Sequence, residues 1–281
     1  MNKKLNIVFF GEDTFSDVIL NSLIAAGHQV KLVITPYYEN LIYKKLEHTC
    51  RLQGVRFERC KKINSIETCN LVKKEQPDLC VISHFERLIK KPLLDIPPMG
   101  FVNLHPSLLP NYRGMSPQHW PIINGDKETG ITVHYVDEGT DTGDIILQRR
   151  FPLTGAEYVK DLQKRWMVEY KTIMVEAIEK ISCGEPTISQ SHLEGSYYGR
   201  LTDADCQINL KGSVKQAYNL VRAVSMPYHG AQIGELIIWK AHINNDRNIV
   251  DNQRGVHLNT ADGNYIVFTD GILFIDKYKQ L

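Results

Sequence analysis

The sequence is short of the features that would announce a ligand outright. Neither sign of charge prevails, with 33 Lys and Arg against 32 Asp and Glu and a net charge of +1. That balance supplies no overall field to hold nucleic acid or an anionic membrane surface. The six cysteines, Cys50, Cys60, Cys69, Cys80, Cys183 and Cys206, contain no Cys-x-x-Cys pair. Thiols scattered in this way read as a reduced, cytoplasmic protein with neither a disulfide framework nor a zinc site. No apolar run approaches the ~20 residues of a membrane-spanning helix. Met1–Asn2–Lys3–Lys4 leads straight into a short apolar strand, with no secretory h-region or small-residue cleavage site, so no leader is expected. G-x-G-x-x-G is also missing. After the first expected strand, Gly11–Glu12–Asp13–Thr14–Phe15–Ser16 puts two acids where a pyrophosphate needs positive charge, which argues against a dinucleotide at that turn. The chain has no internal repeat and no low-complexity segment.

What is present is an α/β rhythm. The 281 residues are enough for a full core and two domains. Leu5–Phe10 is a near-continuous apolar run, the mark of a strand buried on both faces of a parallel sheet. Asp13–Thr14 can cap a helix to about Ala26, which Gly27 ends. Gln29–Thr35 is a second strand, Leu41–Leu52 a helix, Val55–Glu58 a third strand, Ile66–Glu75 a helix and Asp78–Ser83 a fourth strand. This βαβα order predicts a doubly wound, Rossmann-like, mostly parallel sheet. Further on, Gln118–Ile123 reads as a short helix, Gly130–Val136 and Ile145–Arg150 as strands, and Ala156–Ile181 as one long helix stopped near Gly184–Pro186. From about Leu193 the texture changes. Ser213–Val224 is an amphipathic helix, followed by strands at Gln232–Ala241, Gly255–Leu258, Asn264–Thr269 and Ile272–Ile275, with turns at Asp262–Gly263 and Asp270–Gly271. The expected division is a catalytic domain over 1–192 and a small, mostly β subdomain with one helix over 193–281.

The most informative stretch is Phe101–Val102–Asn103–Leu104–His105–Pro106–Ser107–Leu108–Leu109–Pro110. Phe101–His105 reads as a strand with Asn103 and His105 on one face, and Pro106 must end it. Both polar side chains then sit at the C-terminal edge of an open α/β sheet, where ligands bind. The second polar stretch is Asp137–Glu138–Gly139–Thr140–Asp141–Thr142–Gly143–Asp144, a tight loop by composition. If that loop folds beside the His105 edge, an amide, an imidazole and a carboxylate converge. Asp141 would then orient His105 and raise its pKa. His105 would move a proton between nitrogens, and Asn103 would donate to an oxyanion. Those groups suit acyl transfer between nitrogens. The alternative is equally open at this point: Asp141 caps a turn while Asn103 and His105 satisfy backbone groups, since nothing in the spacing forces loop and strand together.

Taken together, Asn103-x-His105-Pro-Ser-Leu-Leu-Pro110, the following Tyr112–Arg113–Gly114, and Asp141–Thr142–Gly143–Asp144–Ile145 resemble the formyltransferase family that uses 10-formyltetrahydrofolate. The resemblance runs from Leu5 to about Phe151 and more loosely to the end. It implies catalytic roles for Asn103, His105 and Asp141 and a metal-free reaction. It also implies a folate pocket between two loops, one carrying Phe85, Arg87, Leu88 and Ile89 and the other running from Val136 and Asp137 to Asp141. Relatives often have an aromatic residue and then Gly at Phe85–Glu86, and Glu86 departs from that pattern. For the acceptor, residues 193–281 hold nine Lys/Arg and nine Asp/Glu, a poor grip on tRNA. Asn219–Val224, Pro227–Ala231 and Tyr197–Tyr198 with Arg200 resemble the sugar-nucleotide members. The implied acceptor is therefore a nucleotide-linked 4-amino sugar, with dTDP as the expected nucleotide. Arg113 would meet the diphosphate or sugar and Tyr228 would stack on the base. Methionyl-tRNA is the alternative acceptor. The resemblance also implies pairing as a homodimer.

Overall fold

The apolar runs become the central strands of a seven-stranded sheet, and capped amphipathic segments become its covering helices. The computed structural model describes residues 4–244, 255–261 and 263–281. Met1–Lys3, Asp262 of the expected Asp262–Gly263 turn, and Asp246, Arg247, Asp251 and Arg254 of the charge count lie outside the described residues. The elements run β1 (Asn6–Gly11), α1 (Thr14–Ala25), β2 (Gln29–Pro36), α2 (Lys44–Gln53), β3 (Arg56–Cys60), α3 (Ile66–Lys74), β4 (Leu79–Ser83), α4 (Lys91–Leu94), β5 (Phe101–His105), β6 (Arg113–Gly114), α5 (Trp120–Asn124), β7 (Glu128–Tyr135) and β8 (Ile145–Pro152). They continue with α6 (Val159–Glu169), α7 (Ile173–Ser182), β9 (Tyr197–Tyr198), α8 (Val214–Ala223), β10 (Ala231–Ile233), β11 (Leu236–Asn244), β12 (Gly255–Thr260), β13 (Gly263–Val267) and β14 (Ile272–Gln280). Among the described residues no helix is long and apolar enough to cross a membrane.

The large sheet has the order β3-β2-β1-β4-β5-β7-β8. β1 to β5 are mutually parallel, and β7 lies antiparallel on β5. β2 and β4 flank β1 on opposite sides, so the strand order reverses between β1 and β4. The C-terminal edge of that pair is the topological switch point. Register aligns Gly11 with Ser83 and Ser83 with Leu104, bringing the ends of β1, β4 and β5 to one edge. Val8, Phe10, Leu32, Ile34, Cys80, Ile82 and Phe101 are buried in the core beneath it. Each such side chain taken out of water contributes roughly 1.5–3 kcal/mol. Asp13 caps α1 as expected, its carboxylate accepting from the backbone N–H groups of Phe15 and Ser16. The Ser16 hydroxyl donates to the carbonyl of Ser83 at 2.8 Å, tying the start of α1 to the end of β4.

Two compact units emerge. One comprises 1–113, 130–150 and 165–197, and the other 114–129, 151–164 and 198–281. Segments 114–129 and 151–164, which the sequence reading placed in the N-terminal domain, thus group with the C-terminal part. The second unit has its own reasons for this. His119 Nδ1 donates to the carbonyl of Ala223 at 2.7 Å, and Arg222 Nη1 donates to the carbonyl of Glu157 at 2.6 Å. Its strands form an antiparallel sheet in the order β10-β11-β14-β13-β12.

Two expected elements are corrected. Gln232–Ala241 is not one strand but the hairpin β10–β11, turning at Gly234 (φ +55°) with Ile233 opposite Leu236. The long helix over Ala156–Ile181 is two helices, broken between Glu169 and Ile173. Its apolar period survives the break, which is why the pattern reads as continuous. Tyr170, fully buried, points its hydroxyl at His84 Nε2 (3.1 Å). Arg149 fills the break, donating to the Glu169 carboxylate (2.6 Å), Thr172 Oγ1 (2.9 Å) and the Glu176 carboxylate (2.5 Å). Arg149→Met should leave both carboxylates part-buried without a counter-charge and lower stability by about 2–3 kcal/mol. The urea midpoint checks this, and an unchanged midpoint would mean that Tyr170 packing alone holds the break.

Candidate functional site

Antiparallel pairing of β7 on β5 puts His134 directly opposite Asn103 and Thr132 opposite His105. Opposed residues share a face, so four polar side chains project from one side of these strands. Asn103 Nδ2 donates to His134 Nε2 at 3.2 Å and lies 3.5 Å from Asp141 Oδ1. Asp141 Oδ2 is 3.6 Å from His105 Nδ1, and Asp141 Oδ1 is 3.5 Å from His134 Nε2. The acidic loop does fold beside the His105 edge.

His105 is 4% exposed. Its Nε2 meets the carbonyl of Tyr112 at 2.8 Å. A carbonyl only accepts, so Nε2 carries the hydrogen and the neutral ring keeps its lone pair on Nδ1, facing Asp141. The expectation of a raised pKa is corrected. Burial pushes the His105 imidazole below its ordinary 6.5, and the Asp141 carboxylate and Tyr112 carbonyl oppose that pull without overcoming it. At 3.6 Å the carboxylate is too distant for a direct hydrogen bond. His134 is held likewise, Nδ1 donating to the carbonyl of Tyr135 at 2.7 Å, which leaves its Nε2 to accept from Asn103.

The residues after His105 serve the ring. Thr132 Oγ1 donates to the carbonyl of Ser107 and accepts from the N–H of Leu109, while Gln148 donates to the carbonyl of Leu109. Tyr112 has a left-handed backbone (φ +62°) and donates its N–H to Ser196 Oγ. In the acidic loop, Asp137 accepts from Gly139 N–H (3.0 Å) and Thr142 Oγ1 (2.6 Å). Gly143 has a steric role, because a Cβ there would stand 2.0 Å from the carbonyl oxygen of Tyr135. Asp141 takes φ +54°, a conformation that Asp tolerates better than most residues.

The other candidates sit as follows. Phe85 packs part-buried against the core, edge-on to Phe10 at 5.5 Å, and Ile89 is buried. Leu88 is exposed. The Arg87 guanidinium lies 5.6 Å from the centre of the Tyr38 ring. Val136, part-buried, donates its N–H to the carbonyl of Phe101. Arg113 donates from Nη2 (2.8 Å) and Nε (3.3 Å) to Gln190 Oε1. Tyr228 belongs to the second unit. Its hydroxyl accepts from Gln118 and Gln163, and its ring meets His119 edge-on at 4.5 Å.

Two residues beside the site were missed. His134 and Gln190 carry no motif, although the polar alternation Thr132–His134 in an otherwise apolar strand is a signal. Glu12 and His84 lie at the switch point. His84 has φ +47°, stacks on Phe15 (4.8 Å) and sits 3.3 Å from Asp13 Oδ2. Glu12 accepts from the N–H of Glu86 (2.6 Å) and from the Tyr38 hydroxyl (3.0 Å), and so fixes the loop after β4.

Residues 5–178 match the formyl transferase family model. The chain belongs to the formyl transferase family. A methionyl-tRNA formyltransferase of Thermodesulfovibrio yellowstonii is 33% identical over 225 residues, 77% of this chain and 72% of that one. An N-formyltransferase from Helicobacter canadensis, solved in complex with folinic acid and dTDP-3-aminofucose, superposes with a TM-score of 0.76 at 21% identity. That superposition covers 97% of this chain and 99% of the other. Glycinamide ribonucleotide transformylase 1 of Symbiobacterium toebii is 27% identical with a TM-score of 0.57, over 64% of this chain and 89% of its own.

Within this formyl transferase, burial pushes the Glu12 carboxyl up to about 7 against the pull of its Glu86 and Tyr38 hydrogen bonds. The folded protein therefore holds a proton between pH 4.5 and 7 that the unfolded chain releases, so stability is lost as pH rises through that window. Glu12→Gln keeps the acceptor for Glu86 and removes the titration. It should stabilise the protein at pH 8 by on the order of 3 kcal/mol and hardly at all at pH 4.5. Urea unfolding at the two pH values reads this, and an equal change at both would contradict it.

Proposed function

We propose that this formyl transferase moves the formyl group of 10-formyltetrahydrofolate to the amine of a dTDP-linked amino sugar. The observation that carries the chemistry is the buried, neutral His105, with Nε2–H committed to Tyr112 and Nδ1 turned to Asp141. The donor set fits a formyl folate, since one amide stands ready for a carbonyl oxygen and one base for a nitrogen-bound proton. When bound, the folate supplies the formyl carbon on a nitrogen that then leaves. Asn103 spends one N–H on His134, and its contact to Asp141 is long enough for a formyl oxygen to replace it. Such a donor to developing negative charge is worth ~3–4 kcal/mol in other enzymes. His105 Nδ1 takes the proton that the attacking amine sheds as the new C–N bond forms. Asp141 stabilises the resulting imidazolium, and the same proton passes to the departing nitrogen as the old C–N bond breaks.

The pterin pocket falls to Phe85, Arg87, Leu88, Ile89, Val136 and Asp137, whose loops flank the switch point and the Asp141 turn. Arg113 would meet the diphosphate or the sugar and Tyr228 would stack on the base. Three things support a sugar nucleotide as acceptor: the nearly full-length likeness to an N-formyltransferase solved with dTDP-3-aminofucose, the balanced charge of 193–281, and the 197–200 and 219–231 segments. The 33% identity to a methionyl-tRNA formyltransferase favours the second reading, charged initiator tRNA.

His105→Ala and Asp141→Asn should each lower turnover about a hundredfold or more. Asn accepts the left-handed backbone at 141, so that variant isolates the charge. Because the neutral ring is the working base, wild-type turnover should fall as pH drops below the ordinary histidine range and hold at neutral pH. Turnover within a fewfold of wild type in either variant would remove these roles. An acceptor screen with 10-formyltetrahydrofolate, reading tetrahydrofolate release, decides the substrate. We expect turnover with dTDP-linked 3- or 4-amino sugars over UDP- and GDP-linked ones. Turnover on methionyl-tRNA alone, weakening steeply with salt, selects the other acceptor.

A further inference from the structure

Gln190 lies in the extended segment after α7 and is 3% exposed. Both ends of its carboxamide are used. Nε2 donates to the carbonyls of Asp141 (3.1 Å) and Gly143 (2.6 Å), and Oε1 accepts from Arg113 Nη2 and Nε. The same segment is zipped onto the loop at its other end. Ile145 and Ile188 exchange backbone hydrogen bonds at 2.8 and 2.9 Å, and Thr187 Oγ1 donates to Asp144 Oδ2. We infer that Gln190 is a positioning residue that holds the Asp141 turn and links it to Arg113.

The chemistry of the side chain is specific to this task. Two carbonyl oxygens need N–H donors, and a guanidinium needs an acceptor; among side chains of this length only a carboxamide presents both. Glutamate would keep the Arg113 contact while setting a bare oxygen against two carbonyls. Lysine or arginine would satisfy the carbonyls and repel Arg113. The grip falls on the backbone of Asp141, which must hold φ +54° for its carboxylate to reach between His105 and His134. Substrate drawing on Arg113 would therefore act, through one amide, on the turn that aims the carboxylate. The link to turnover rests on the roles proposed above for Arg113 and Asp141, whereas the positioning itself does not.

Hydrogen exchange on the intact chain separates the two. In Gln190→Met and Gln190→Glu, amides between Gly139 and Gly143 should exchange about tenfold faster or more, with β5 amides unchanged. Arg113→Met should raise exchange in the same amides and add nothing further in the Gln190→Met background, since the two act through one contact. Should Gln190→Met fail to fold, Gln190→Glu carries the test, because it keeps the volume and the Arg113 partner. Unchanged exchange in a folded Gln190 variant, or independent and additive effects of the two sites, overturns the inference. With 10-formyltetrahydrofolate and dTDP-3-aminofucose, both Gln190 variants should lose about tenfold or more in kcat with the donor KM held within about twofold. Asp141→Asn is run beside them. If it retains turnover, the catalytic reading fails, and the exchange result still decides the positioning.

Discussion

The site depends on one hydrogen bond inside the protein, from His105 Nε2 to the carbonyl of Tyr112. It fixes which ring nitrogen carries the hydrogen, and with burial it keeps the ring neutral and basic at Nδ1. Supplying that carbonyl determines the conformation of everything from Pro106 to Arg113. Pro106 stops the strand, Ser107 closes the turn by donating to the carbonyl of Asn111, and Thr132 and Gln148 hold the middle. Tyr112 then turns its carbonyl inward through a left-handed backbone. The proline- and serine-bearing motif is the framework for a single acceptor.

A second constraint acts at the switch point between β1 and β4. Doubly wound sheets commonly place a nucleotide phosphate there, on the N-terminus of the following helix. Here Asp13 occupies the helix N-terminus, and Glu12 reaches across to the backbone of Glu86. Burial opposes ionisation of Asp13, yet His84 and the Ser16 donors outweigh it and hold its carboxyl below the usual range. An ionised cap and a second acid beside it oppose a phosphate by charge. They shape the loop that follows β4 instead, and Glu86 finds its N–H partner in the residue that replaces the phosphate chemistry.

The parts legible in the sequence are those with a local cause. Buried runs such as Leu79–Ser83, the Asp13 cap and the Pro106 stop each depend on neighbours within a few residues. Asn103 and His105 were readable because strand alternation puts them on one face at a proline-ended edge. The break at Tyr170–Thr172 was not, because Arg149, which bonds across it, is distant in sequence. His134 required the β5–β7 register, and Gln190 required the fold of a segment with no regular structure of its own. The pKa of His105 went the other way from the charge argument because burial, invisible in the sequence, outweighs one carboxylate at 3.6 Å.

Acceptor choice has to be argued apart from the reacting groups. Relatives named for methionyl-tRNA, an amino-sugar complex and glycinamide ribonucleotide all align with the part of the chain that holds Asn103, His105 and Asp141. In the proposed mechanism those three side chains attend to the formyl carbon and the attacking nitrogen, and they meet the same atoms whatever the amine belongs to. Discrimination must come from contacts to the remainder of the acceptor, which differs in charge and size by a wide margin. The family match ends at residue 178, so of the two contacts proposed for the acceptor Arg113 lies within it and Tyr228 beyond it. Over residues 193–281 positive and negative side chains are equal in number, and Arg222 is buried with its guanidinium bound to the carbonyl of Glu157 and to Asn219 Oδ1. With no net charge over that stretch, phosphate neutralisation has no overall field to draw on, and this is the ground on which the proposed acceptor is a sugar nucleotide and not a tRNA.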